Sequence, residues 1–181
     1  MTSRLLIGLT TAVLLLSACG DGTDAETFDT ADDAQEQTTC PDAPEPVEPP
    51  VDVPGDLQAK PEFQVPEGDP PAELQVADIV VGSGDLACSG DTVAMQYVGV
   101  TYADGKQFDA SWDRGGEPFE FQLGGGSVIG GWDQGIVGMR QGGRRMLVIP
   151  PDLGYGQQGA PPDIPPGATL VFVVDMVGVT G

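Results

Sequence analysis

The 181-residue chain carries 28 acidic residues against seven lysines and arginines, a net charge of −21, and it contains no histidine. So acidic a surface repels phosphate backbones and anionic headgroups, which argues against nucleic acid as a partner and against electrostatic docking on a membrane. Without histidine, Ser-His-Asp and Cys-His catalysis are excluded, and the sequence holds no metal-ligand cluster, P-loop or dinucleotide fingerprint.

Met1-Thr2-Ser3-Arg4 is a short cationic start, Leu5 to Leu16 is an apolar run, and Leu16-Ser17-Ala18-Cys19 ends it. The run is too short to span a bilayer comfortably and has the form of a signal peptide with small residues at the cleavage site. Leu-Ser-Ala-Cys resembles the lipobox of bacterial lipoproteins. That resemblance implies that residues 1–18 are removed and that Cys19 becomes the N-terminus. Lipid (palmitate among the acyl groups) on its sulfur and amine would hold the chain at the extracytoplasmic face of a bacterial membrane. Each buried CH₂ contributes about 0.8 kcal/mol, so two or three acyl chains anchor stably where one does not.

From Gly20 to Asp56 the chain is rich in Asp, Glu, Thr, Ala and Pro, with no lysine or arginine and almost no large apolar residue. Such a segment cannot bury enough surface to offset the entropy of ordering. Residues 19–59 are therefore expected to form a disordered, extended tether. Cys40 falls in it, and Cys88 just precedes a strand-like stretch. In an oxidising extracytoplasmic space the two could pair and pin the tether to the domain, or remain free thiols; the sequence leaves both open.

Residues 60–181 suit one domain with one core. Segments of β character run from Leu74 to Val81, Thr92 to Thr101, Glu117 to Leu123, Arg144 to Ile149 and Thr169 to Val177, most of them divided by Gly, Pro or Asp turn signals. Between the third and fourth, Ile129, Trp132, Ile136 and Met139 recur at helical spacing, which predicts one short helix. Its glycines each cost about 1 kcal/mol relative to alanine, so packing and not propensity must hold it. No βαβ alternation is present, and an α+β fold follows: a curled antiparallel sheet around one helix. Trp132 would then close the bottom of any cavity the sheet leaves open, or be a core side chain and nothing more.

Six blocks match a known family in order: Gln96-Tyr97-Val98-Gly99, Asp104 to Ser111, Pro118 to Phe121, Val128-Ile129-Gly130-Gly131-Trp132, Pro151 to Gly156 and Ile164 to Phe172. Together they resemble the FKBP family of peptidyl-prolyl cis-trans isomerases, whose fold is a twisted antiparallel sheet of five or six strands wrapped around one short helix. The resemblance implies a shallow apolar pocket walled by Tyr97, Phe108, Phe119, Val128, Ile129, Tyr155 and Phe172, with Trp132 as its floor. It implies Asp109 as the pocket carboxylate and Arg114 as its partner. The Ile129 N–H and the Tyr155 hydroxyl would be donors to substrate carbonyls.

The resemblance further implies an isomerase that needs no cofactor or metal and acts on proline-containing unfolded or exported polypeptides. Macrolides would be its inhibitors, and a monomer is the default state. A non-catalytic chaperone module that holds proline-containing segments is the alternative. Two departures from the family pattern concern the rim: Ala160 stands where many members have histidine, with Pro162 and Asp163 beside it, and Ser127 replaces an acidic or polar residue. The first bears on substrate preference and macrolide affinity more than on activity.

Overall fold

Successive residues of a strand face opposite ways. In the computed structural model, which describes residues 40–181, this alternation sorts the side chains into two apolar clusters, one on each side of a single sheet. The strands are β1 (Gln75–Val80), β2 (Thr92–Thr101), β3 (Gln107–Ala110), β4 (Phe119–Gln122), β5 (Arg144–Ile149) and β6 (Leu170–Thr180), and helix α1 (Gly130–Gly135) joins β4 to β5. All pairings are antiparallel, in the order β1-β5-β6-β2-β3, with β4 also on β2. β3 faces the second half of β2 and β4 the first half. The chain from Gln107 to Gln122 is therefore one edge strand interrupted by an excursion that opens with the 3₁₀ turn Ser111–Arg114.

Leu147 and Ile149 of β5 point inward with Val93, Met95 and Tyr97 of β2 and Phe172 and Val174 of β6, against Trp132 and Ile136. Met146 and Val148 point outward with Val98, Val100, Val171 and Val173. Two adjacent arginines obey the same alternation. Arg145 turns inward, where Nη1 donates to the carbonyls of Gly135 (2.8 Å) and Val137 (3.2 Å) and Nε to Asp78 Oδ1 (2.7 Å). It supplies the positive charge that the last turn of α1 lacks. Arg144 turns outward, fully buried, and its guanidinium holds the Asp175 carboxylate at 2.5 and 2.7 Å.

The helix is shorter than its apolar spacing suggests: Ile129 is its N-cap, and Ile136 and Met139 are buried beyond its end. Its glycines explain how it sits. A Cβ at Gly131 would run into the Ile149 side chain, and one at Gly135 would lie 2.8 Å from Leu147, so larger residues would lift α1 off β5. β3, which the strand-like segments of the sequence did not include, is four residues long and sits on the sheet edge.

The larger correction concerns residues 40–59, expected to be disordered. Cys40 is buried and disulfide-bonded to Cys88, the Val47 N–H donates to Val76 O at 2.8 Å, and Val53 is buried in the outer cluster with Val51, Phe63 and Val65 beside it. The segment thus starts against the inner cluster, where Cys40 packs, passes the edge strand β1 at Val47, and from Val51 to Val65 forms a strap over the outer face of the sheet. Composition misleads here because the strap need supply only a few apolar side chains; the sheet supplies the others, and the cross-link removes part of the entropy that ordering would cost. The expected signal segment and the expected lipidation site, Cys19, lie outside the described residues. Among the described residues, no helix is long and apolar enough to cross a membrane.

Candidate active site

On the inner side, β2, β3, β4, α1 and the loop before β6 converge on a cavity of about 690 Å³ lined by Tyr97, Phe108, Asp109, Phe119, Ser127, Val128, Ile129, Gly130, Trp132, Gly154, Tyr155 and Phe172. Trp132 lies beneath it, 5% exposed. The rings of Tyr97 (5.1 Å, 82°), Phe172 (5.3 Å, 81°) and Phe119 (6.2 Å, 69°) meet the indole edge to face, and Phe121 lies tilted at 5.7 Å. Such pairs contribute about 0.5–1.5 kcal/mol each. Together they outweigh the cost, about 1–3 kcal/mol, of the indole N–H, which is buried without an acceptor. Phe108 closes the far wall by meeting Phe172 at 5.4 Å and 84°. Phe119 and Tyr155, each 41% exposed, form the mouth.

One polar corner breaks the apolar wall. The Tyr97 hydroxyl donates to Asp109 Oδ2 at 2.6 Å, while Arg114 pairs with Asp109 through Nη1 and donates to the Tyr97 oxygen through Nη2 at 2.5 Å. The guanidinium also lies 5.5 Å from the Tyr97 ring centroid, within cation–π range. Burial, and then the hydrogen bond to Asp109, push the Tyr97 phenol above its ordinary value. Burial, and then the Asp109 charge, do the same for Tyr155. Both hydroxyls therefore stay protonated as donors at neutral pH. Arg114 is the one predicted site residue that stands behind the cavity and does not line it.

The sequence assigns no role to three contributors. Gly99 leaves room for two rings to meet over β2: a Cβ there would lie 2.6 Å from Phe172 and 2.7 Å from Phe108. Asp133 accepts the N–H groups of Gly124 and Gly126, both at 2.9 Å, and so folds the loop that delivers Ser127 and Val128; those two glycines have φ of 75° and 70°. Ser111 Oγ accepts the Tyr97 N–H at 2.9 Å. A single sequence gives a glycine or a loop aspartate no role of its own. A second hollow of about 730 Å³ lies between Val65–Pro70 and the Pro162–Thr169 loop. It is slightly larger, but no cluster of aromatic rings converges on it, so the chemistry belongs to the Trp132 cavity.

An aromatic cup with one charged corner and the Tyr155 hydroxyl at its mouth suits a prolyl ring and the carbonyls beside it. The model of the FKBP-type peptidyl-prolyl cis-trans isomerase family matches residues 84–177, and the chain belongs to that family. It is 54% identical over 121 residues to an FK506-binding protein of Streptomyces anulatus, covering 66% of this chain and 97% of that one. To a probable FK506-binding protein of Corynebacterium glutamicum it is 45% identical over 118 residues, with 65% and 97% covered. Among solved structures it resembles AtFKBP13 (TM-score 0.55, 40% identity, 66% of this chain and 99% of that one) and Escherichia coli FkpA (TM-score 0.54, 43% identity, 59% and 48%). The chain is a peptidyl-prolyl cis-trans isomerase of the FKBP type, and its sheet and helix are those of the family.

Proposed function

We propose that this enzyme speeds X-Pro isomerisation in exported proteins as they fold, working as a lipid-anchored monomer on the extracytoplasmic face of a bacterial membrane. Support for the location comes from the signal-like start, the lipobox-like Leu16-Ser17-Ala18-Cys19 and the Cys40–Cys88 bond, since disulfides persist in oxidising compartments. The same cavity would take macrolides of the kind for which the relatives are named. Cys19 carries the lipid in this reading.

The observation that carries the catalytic reading is the cavity floored by a buried indole. Amide resonance sets a rotation barrier of about 18–20 kcal/mol, so uncatalysed X-Pro isomerisation takes tens to hundreds of seconds. As the imide twists, carbonyl and nitrogen lose resonance and charge separation, and a water-poor aromatic cup accommodates that form better than the planar one. Phe108, Phe172 and Trp132 exclude water from the ring. Val128 and Ile129 border it, with the Ile129 N–H and the Tyr155 hydroxyl as donors that steady the flanking carbonyls. Asp109, held by Tyr97 and Arg114, fixes the polar corner against which the twisted carbonyl turns. No bond to a nucleophile forms.

A protease-coupled assay on a prolyl tetrapeptide tests the activity: a rate well above the uncatalysed one is expected, and an equal rate would leave only segment binding. Capture on intact cells with an Asp109→Val variant tests the location. It should recover proline-containing exported polypeptides, and recovery of cytoplasmic proteins alone would refute it.

A further inference from the structure

The turn Ser111–Arg114, which presents Arg114 to Asp109 and Tyr97, is gripped from two sides. Inside the sheet, Ser111 Oγ takes the Tyr97 N–H and donates to Gln96 Oε1. Outside, Asp113 accepts Lys60 Nζ on one oxygen and Gln107 Nε2 on the other, both at 2.7 Å. Lys60 belongs to the strap, ahead of the region that the family model covers from residue 84. Its position is fixed one residue earlier: the buried Arg144 guanidinium donates to Ala59 O at 3.2 Å and also to Pro54 O. A continuous series of contacts thus runs from the buried Arg144–Asp175 pair through the strap and Asp113 to the polar corner of the cavity.

We propose that Lys60 and Asp113 are positioning residues of the isomerase, through which the strap sets the turn that aligns Arg114 on Asp109 and Tyr97. The proposal rests on the isomerase activity argued above. As a stabilising contact the Lys60–Asp113 pair counts for little, because its side chains are 35% and 52% exposed and solvent screens them. Its consequence is geometric. Arg114 and Asp109 are themselves half-exposed, so little burial holds them in line, and their alignment depends on the turn beneath. Misplacement by about 1 Å at such a corner can cost up to about 10²-fold in rate.

The test compares the mature chain with Lys60→Ala, Asp113→Asn and Lys60→Arg in the protease-coupled assay, with thermal unfolding alongside. Lys60→Ala and Asp113→Asn should lower kcat/KM by about 3–10-fold, chiefly in kcat, because the corner acts on the twisted imide more than on the bound planar one. Lys60→Arg should restore activity to within about two-fold. If either neutral variant lowers the melting temperature substantially, the exchanged pair Lys60→Asp with Asp113→Lys becomes the deciding variant, and recovery of kcat is expected. Neutral variants with wild-type kcat, failure of Lys60→Arg to restore it, or no recovery in the exchanged pair would each overturn the proposal. An inactive wild-type chain would instead overturn the isomerase reading itself.

Discussion

At the polar corner, Tyr97, Asp109 and Arg114 satisfy one another, yet Asp109 and Arg114 remain about half-exposed. An exposed pair of this kind contributes about 0–1 kcal/mol to stability, while the same carboxylate fixes the only charged wall of the cup. Asp109→Val and Phe108→Tyr should therefore lower kcat/KM about tenfold or more while the melting temperature moves by only a few degrees. Full activity in both would show that the site is misassigned. The hydroxyls set the pH response. Tyr97 and Tyr155 have pKa values raised above 10.0 by burial, with Asp109 adding to the effect. Their contribution to stability is thus complete below pH 10 and is lost as pH rises through the higher folded-state values. A plateau of activity across pH 7–9 followed by a loss above about 10 is expected in a pH–rate profile, and a break near neutrality would contradict it. The aromatic residues and Asp109 were legible in the sequence because each stands in a block with a recognisable neighbourhood. Gly99 stands in one of those blocks too, but its role was not legible, because its contribution is the absence of a side chain. Gly99→Ala would drive a methyl into Phe108 and Phe172, and it should impair binding of a prolyl peptide before it unfolds the protein.

At the scale of elements, β5 ties both faces of the sheet together. Arg145 ends α1 on one side and Arg144 latches the strap on the other. Five of the six strands were legible because apolar runs between Gly, Pro and Asp turns leave few alternatives, while β3 is only four residues long; α1 was legible because four apolar residues keep helical spacing. Its short length was not, since only the contact of Gly131 and Gly135 with β5 shows why it lies flat and stops. Gly131→Ala should raise helix propensity by about 1 kcal/mol. The clash with Ile149 should nonetheless make it net destabilising by about 1–3 kcal/mol, as read by denaturant unfolding. The strap was illegible because it has almost no apolar periodicity of its own. Its order comes from partners elsewhere: Ala77, Val98 and Val173 of the outer cluster, the Arg144 guanidinium, and a cross-link closing a span of 48 residues. Loss of that cross-link, by reductant or by Cys40→Ser with Cys88→Ser, should cost about 2–4 kcal/mol. Strap residues should then exchange amide hydrogens faster than β2 or β6, and unchanged stability would mean that the strap's other contacts suffice.

At the scale of the whole molecule, charge and lipid act against each other. A chain of net charge −21 is repelled by an anionic leaflet, so its folded part lends no electrostatic grip on the membrane. Attachment, in the reading proposed here, falls entirely to acyl chains on Cys19, and a single chain gives only a binding constant of about 10⁴ M⁻¹. Stable anchoring therefore requires at least two chains on that one residue. Mass spectrometry of the mature protein should find an N-terminal peptide that begins at Cys19 and carries multiple acyl groups. Metabolic labelling with palmitate should mark the wild type and not Cys19→Ser. High salt should leave the wild type in the membrane fraction, because there is no ionic attraction to screen, and detergent should release it. Release by salt alone, or an unmodified Cys19, would refute the anchor while leaving the isomerase domain and its cavity as they stand.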